Sequence, residues 1–458
     1  MTVQLKTAAS AGAIAITVVD RSAFKTLAAT LPAPTRNWLA TTGFVGAPDS
    51  FCLVPGPDGK LGQVFAGIAH VADPFALAAL PQALPEGRYC LSEQGLTLQA
   101  EAAALSWELG AYQFDLYKAR RRAPAELMLA PSADAQRGLA FATAMAATRD
   151  LVNTPAEHMG PEELAKAAQM IAKQHGAKFK QIVGDDLLKH NFPAIHAVGR
   201  ASTRAPRLIE LNWGKADAPL LCIVGKGVCF DTGGLDIKGA DGMRQMKKDM
   251  GGAANALGLA ALVMAFKLPL RLQVLIPAVE NSIAGNAYRP GDVIKTRKGL
   301  QIEIGNTDAE GRVVLSDALA YASEGKPELI IDLATLTGAA RVALGAQLPA
   351  LFSKHFDNAR DLVDLGLKLE DPMWHMPLWA PYKAGIESSI GDIVNTGRNA
   401  LGGAINAALF LEYFVPENQD WLHIDLFAWN DVARPGRPVG GEAQTIRTLL
   451  AYLEQRFT

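Results

Sequence analysis

The feature that most constrains the fold of this chain is a change of texture after residue 160. Short apolar runs recur there, at 207–211, 220–224, 273–277, 329–333 and 423–427. They do not alternate apolar with polar residues, so each reads as a strand covered on both faces. Helical stretches separate them. The implied fold is α/β: a central mixed, mostly parallel sheet flanked by helices. In such sheets ligands bind beyond the carboxyl ends of the strands. Two runs lead into suggestive sequence. The first continues into Gly225-Lys226-Gly227-Val228-Cys229-Phe230-Asp231-Thr232-Gly233-Gly234, the second into Ala334-Thr335-Leu336-Thr337-Gly338.

A chain of 458 residues is too long for one ordinary core. Residues 1–140 read as a smaller α/β domain, with strand-like pieces at 13–19, 63–69 and 88–91 and helix-like pieces at 22–29 and 100–110. Pro- and Gly-rich turns such as Pro55-Gly56-Pro57-Asp58-Gly59 separate them. Residues 135–152 have helical periodicity, Asn153-Thr154-Pro155 stops it, and Gly160-Pro161-Glu162-Glu163 opens another helix. The expected division is 1–140, a helical linker over 141–160, and a larger domain over 161–458. An amphipathic helix at 445–453 closes the chain.

The net charge of -2 leaves no excess of cations to neutralise phosphates, which argues against a nucleic-acid partner. Arg120-Arg121-Arg122 stands alone and reads as a solvated helix end. Cys52, Cys90, Cys222 and Cys229 lack CxxC spacing and suit free thiols in a reducing compartment. The apolar run at 8–19 follows a single lysine and reads as a first strand rather than a signal-peptide core. The longest apolar helical run, 253–266, is too short to span a membrane.

Chemistry concentrates in Asn306-Thr307-Asp308-Ala309-Glu310-Gly311-Arg312. If this segment is extended, Asp308 and Glu310 point to one side. Gly311 allows a tight turn and a helix follows from Val313, so the acidic pair is expected on a loop feeding a helix N-terminus. Carboxylates held that close repel, and a divalent cation makes both ionised forms favourable. Asp231 follows one strand, and Asp249 precedes the buried helix beginning at Met250-Gly251-Gly252. Four acids near strand ends suit two divalent ions if some acids bridge. Lys226 and Lys238 flank Asp231; either can donate to a developing oxyanion or pair with the acids. The chain lacks HExxH, GxSxG, a complete P-loop and GxGxxG after a strand, and its eight histidines are scattered.

On these residues the chain resembles the leucyl aminopeptidases, the M17 metallopeptidase family of cytosol aminopeptidase type. The segment 306–312 carries most of the likeness. Gly225-Lys226-Gly227, Phe230 to Gly234, Met246-Lys247-Lys248-Asp249-Met250 and Asp332 to Gly338 reinforce it in order and spacing. The likeness is strong from about 150 to 430 and loose before that, through Tyr112-Gln113-Phe114-Asp115. It implies a two-metal aminopeptidase that removes a neutral or hydrophobic N-terminal residue from peptides through a metal-bridging hydroxide. Lys226, Asp231, Asp249 and Glu310 are then expected to hold the tighter ion, and Asp231, Asp308 and Glu310 the exchangeable one. The ions expected are zinc or manganese, with magnesium or cobalt next. Lys238 is expected to polarise the scissile carbonyl, and Arg312 to anchor a bicarbonate general base. Met246, Thr335 and Gly338 are expected to line the pocket for the first side chain. The likeness further implies a cytoplasmic homohexamer that acts on peptide substrates, away from membranes. A DNA-binding regulator of the same fold is the alternative; a catalytically inactive scaffold ranks below both, because every expected site residue is present. Two segments depart from the family pattern: Gly239-Ala240-Asp241-Gly242-Met243, which removes no ligand, and Pro438-Val439-Gly440-Gly441-Glu442-Ala443, which borders the substrate pocket in relatives.

Overall fold

The structure is a computed structural model that describes residues 1–6 and 12–457, so part of the apolar run at 8–19 lies outside the described residues. The chain divides into two compact units. The first comprises Met1–Ala146 with Val432–Val439, and the second Ala147–Asp431 with Gly440–Thr458. The division falls inside one continuous helix, Ala133–Asn153, where the sequence suggests a separate linker over 141–160. The return of residues 432–439 to the first unit also interrupts the expected 161–458 domain. No composition shift marks either point, because a single helical periodicity runs through the first and a short loop with two prolines and two arginines forms the second.

The first unit holds strands β1 (Val3–Leu5), β2 (Ile14–Val19), β3 (Phe51–Pro55), β4 (Leu61–Gly67), β5 (Arg88–Gly95) and β6 (Glu126–Leu129). Their order is β1-β6-β5-β2-β4-β3, with only β3 antiparallel to its neighbour. Ile16, Val18 and Val19 of the interior β2 are buried. The helix Ala100–Ala111 is buried along most of its length, and Trp107 Nε1 donates to Ala125 O at 3.1 Å. The arginine run lies in the loop between that helix and β6 rather than at a helix end. Arg120 pairs with Asp115, and Arg122 donates to Leu84 O.

The second unit holds β7 (Lys178–Val183), β8 (Arg207–Trp213), β9 (Leu220–Gly225), β10 (Gly227–Asp231), β11 (Arg271–Asn281), β12 (Val293–Lys295), β13 (Gln301–Glu303), β14 (Leu329–Ala334), β15 (Ala350–Ser353), β16 (Trp374–His375), β17 (Ile393–Val394) and β18 (Trp421–Asp425). The main sheet has the order β16-β15-β18-β14-β9-β11-β8-β7, and β10 also pairs with β11. Its centre, β18-β14-β9-β11, is parallel throughout. The antiparallel strands β15, β8 and β7 flank this centre. Every residue of β9 and β14 is buried, as their unbroken apolar runs require. Side chains alternate across β9. Cys222 and Val224 pack in one core with Val314 and Ala318 of the helix Glu310–Glu324. A Cβ at Gly225 would lie 2.6 Å from Ala253 of the helix Gly251–Ala265. The two helices that begin at the site therefore cover opposite faces of the same strand. Among the described residues, no helix is long and apolar enough to cross a membrane.

The helix Glu310–Glu324 is fixed from within by Asp317. Its Oδ2 accepts from the backbone N–H groups of Ala194 (2.8 Å) and Ile195 (3.2 Å), and its Oδ1 from Arg297 N (2.7 Å). Ala194 and Ile195 belong to the first turn of the helix Pro193–Gly199, which has no side-chain cap of its own. Burial pushes the Asp317 carboxyl up to about 7, against the pull of these donors. Asp317→Ala leaves three donors without an acceptor and is expected to destabilise the fold by about 3 kcal/mol. The measurement is the urea midpoint at constant m; a loss below about 0.5 kcal/mol contradicts the assignment.

Candidate metal centre

The site begins where β9 ends. β9 runs between β11 and β14, whereas β10 continues along β11 alone. Lys226 occupies the break. Its N–H still donates to Leu333 O (2.9 Å), and its carbonyl accepts from Ala253 N (2.8 Å). The side chain enters a cavity beyond the carboxyl ends of the parallel strands, the place expected for such a sheet. Nζ donates to Thr335 O (2.8 Å) and stands 2.7 Å from Asp249 Oδ2 and 2.9 Å from Glu310 Oε1. Gly311 makes this approach possible: a Cβ there would lie 2.6 Å from Lys226 Cε.

Asp231 closes β10. Its Oδ1 accepts from Gly233 N and Asn281 Nδ2, both at 2.8 Å, and its Oδ2 lies 2.8 Å from Lys238 Nζ. The chain turns back at Gly233 with φ +87°, so that Lys238 N donates to Thr232 O (2.9 Å). Lys238 also pairs with Asp308. Asp249 sits on the turn before the helix Gly251–Ala265, and its Oδ1 accepts from Thr335 Oγ1 (2.9 Å). Asp308 and Glu310 do not share an extended segment. Asp308 lies in a turn, and the helix begins at Glu310 rather than Val313. The two carboxylates thus come from the turn and from the first residue of the helix it feeds.

Nine of the ten expected site residues line one cavity of about 410 Å³. Arg312 is the exception. Its side chain is buried, Nη1 donates to Asn395 O (2.8 Å), and Nε has no hydrogen-bond partner among the described residues. Burial lowers its pKa to about 10, so it stays protonated at neutral pH. The carboxyls of Asp308 and Glu310 are raised, first by burial and then by the Asp231 charge. Burial pulls the Lys226 and Lys238 ammonium groups down, yet the surrounding carboxylates hold both well above the ordinary lysine range.

These residues fit divalent cations. Carboxylate oxygens of Asp231, Asp308 and Glu310 come within 4.8 Å of one another. Glu310 Oε2 is buried and, among the described residues, has no hydrogen-bond partner. Oxygen donors in this number suit hard or borderline divalent ions. Such a charge cluster is costly unless cations offset it.

Several supporting residues carry no sequence signature. Asn395 receives Gly305 N (2.8 Å) and Asn306 N (3.2 Å) on Oδ1 and donates from Nδ2 to Asn306 O (2.7 Å). Asn281 Nδ2 joins Asp231 to Thr307 O (3.0 Å), and Tyr288 donates to the same carbonyl (2.6 Å). Asn395→Ala is expected to lower metal affinity by about 10–100-fold, the usual scale for groups that orient ligands. Metal titration of the apoprotein checks this; unchanged affinity contradicts it.

The model of the cytosol aminopeptidase family catalytic domain matches residues 146–450. This chain belongs to the M17 cytosol aminopeptidase family. The M17 aminopeptidase N-terminal domain matches residues 14–130. The chain is therefore a metal-dependent aminopeptidase, a metallo-exopeptidase that acts on peptides. It is 37% identical over 399 residues to a probable cytosol aminopeptidase of Syntrophotalea carbinolica, covering 83% of this chain and 78% of the relative. It is 41% identical over 383 residues to one from Roseiflexus castenholzii, covering 79% and 78%. Among solved structures it resembles the cytosol aminopeptidase of Coxiella burnetii, with TM-score 0.95, 47% identity and full coverage of both chains. It also resembles the bottromycin maturation enzyme BotP in complex with Mn, with TM-score 0.87, 32% identity and coverage of 98% and 100%. The DNA-binding alternative has no support in these likenesses.

Proposed function

We propose that this M17 aminopeptidase works with two divalent ions per subunit in the cavity at the end of β9 and β10. The convergence of four carboxylates on one cavity, with Glu310 Oε2 buried and unpartnered, carries this reading. Lys226, Asp231, Asp249 and Glu310 would hold one ion, and Asp231, Asp308 and Glu310 the other. Manganese or zinc leads the choice; BotP, a structural neighbour, has been seen with Mn. Bound ions supply Lewis acidity to the scissile carbonyl and to water.

The chain's own residues do the rest. Lys238, an ammonium aimed into the cavity, donates to the oxygen that gains charge as the carbonyl is attacked. Asp249 offers a carboxylate to the free α-amine, so a blocked N-terminus loses its partner. Arg312 lies outside the cavity lining but close to Glu310 in sequence, and would anchor a bicarbonate base through its buried Nε, which has no acceptor among the described residues. Met246, Thr335 and Gly338 border the first side chain. We also infer a cytoplasmic homohexamer, as the family resemblance suggests; light scattering tests the assembly.

The test uses the intact protein and chromogenic peptides. Release of N-terminal residues should cease with chelator, return with Mn²⁺ or Zn²⁺, and fail on N-acetylated substrates. Full activity after exhaustive metal removal contradicts the reading.

A further inference from the structure

The same cavity has a wall that the reading above does not use. Lys248, Arg341 and Phe427 line it. Lys248 follows from the turn that carries Asp249, and Arg341 from the helix Gly338–Leu344. Lys248 Nζ stands 4.9 Å from the centroid of the Phe427 ring, and the Arg341 guanidinium carbon 4.8 Å. Lys248 is only 6% exposed.

These cations differ from the others in the cavity. Lys226 and Lys238 each touch two carboxylates. Among the described residues, neither Lys248 nor Arg341 has a carboxylate within ion-pair distance. Asp425 shares the cavity, but its oxygens are taken by Leu336 N (3.0 Å), Thr337 N (3.2 Å) and Thr337 Oγ1 (2.6 Å). An aromatic face attracts cations without neutralising them. The buried Lys248 ammonium, beside a second cation, therefore has the Asp249 charge nearby but no carboxylate paired with it among the described residues, an unfavourable arrangement unless one arrives.

We propose that this wall selects an acidic first residue: Lys248 and Arg341 receive the side-chain carboxylate of an N-terminal glutamate or aspartate, and Phe427 holds both cations in place. The proposal rests on the aminopeptidase reading of the same cavity. It replaces the neutral or hydrophobic first residue that the family resemblance implies. Met246, Thr335 and Gly338 supply only the uncharged part of the lining, and Phe427 takes up apolar space on the other side. A planar guanidinium beside a compact ammonium suits the two oxygens of one carboxylate.

The experiment measures kcat/KM of the metal-loaded enzyme on Glu-, Asp-, Gln- and Leu-p-nitroanilides, which lack a terminal carboxylate. Glu or Asp is expected to exceed Gln, the uncharged isostere of Glu, by about tenfold or more. In Lys248→Met and in Arg341→Met, the Glu-to-Leu ratio of kcat/KM should fall about tenfold. Arg341 lies on an exposed helix position, so its variant keeps the test open if Lys248→Met fails to fold. Equal rates on Glu, Gln and Leu, or variants with an unchanged ratio, overturn the proposal. Glu-Leu and Leu-Leu dipeptides are run alongside, and an Arg341→Met effect seen on these but absent from the p-nitroanilides overturns the proposal in favour of the terminal carboxylate. Failure to cleave any of the four substrates overturns the aminopeptidase reading itself.

Discussion

Glu310→Gln is expected to lower metal affinity by more than about 100-fold and kcat/KM with it, in a protein that remains folded. Supporting groups around metal sites already cost about 10–100-fold, and Glu310 is placed as a direct ligand. Its carboxylate is the first residue of a helix, is buried, and uses only Oε1, on Lys226. A glutamine keeps that contact through its carbonyl oxygen. It then sets an NH₂ group where Oε2 stood, a donor aimed at the place of a cation. Lys226 keeps Asp249 and Thr335 O as partners, so the core around it holds. Metal titration together with kcat/KM at saturating metal checks this. Near-normal affinity would remove Glu310 from the site.

Lys238→Ala is expected to reduce kcat by about 10²–10³-fold, the scale for loss of one oxyanion donor. The effect should fall on kcat rather than KM, because the ammonium meets its charge only as the carbonyl oxygen becomes anionic. Lys238 is also the counter-charge of Asp231 and Asp308, so metal binding should survive or tighten in the variant. A raised KM with unchanged kcat would make Lys238 a ground-state contact and contradict the assignment.

The sequence carries the core of the catalytic unit openly. β9 and β14 are buried at every position, and only a doubly covered strand tolerates six consecutive such residues. β7 was not readable, because Lys178–Val183 is a largely solvent-facing edge with no fully buried residue. The acids were readable for a local reason: Asp231, Asp249 and Glu310 each stand close to glycines that allow tight approach. The loop feeding a helix N-terminus is legible in 306–312, but the helix starts at Glu310 rather than Val313, because Gly311 and Arg312 join its first turn instead of preceding it. Asn395 and Asn281 were invisible. They reach the 305–309 loop from distant segments, and asparagine carries no signal that separates such a brace from an ordinary turn. Lys248, Arg341 and Phe427 lie within or near recognisable stretches, but only the folded chain places two cations on one ring.

The most direct test of the account is anomalous diffraction from crystals of this protein soaked in Mn²⁺. Two peaks are predicted in the cavity, among the carboxylates of Asp231, Asp249, Asp308 and Glu310. A cavity with no anomalous density, or manganese held only at other surfaces, would contradict it.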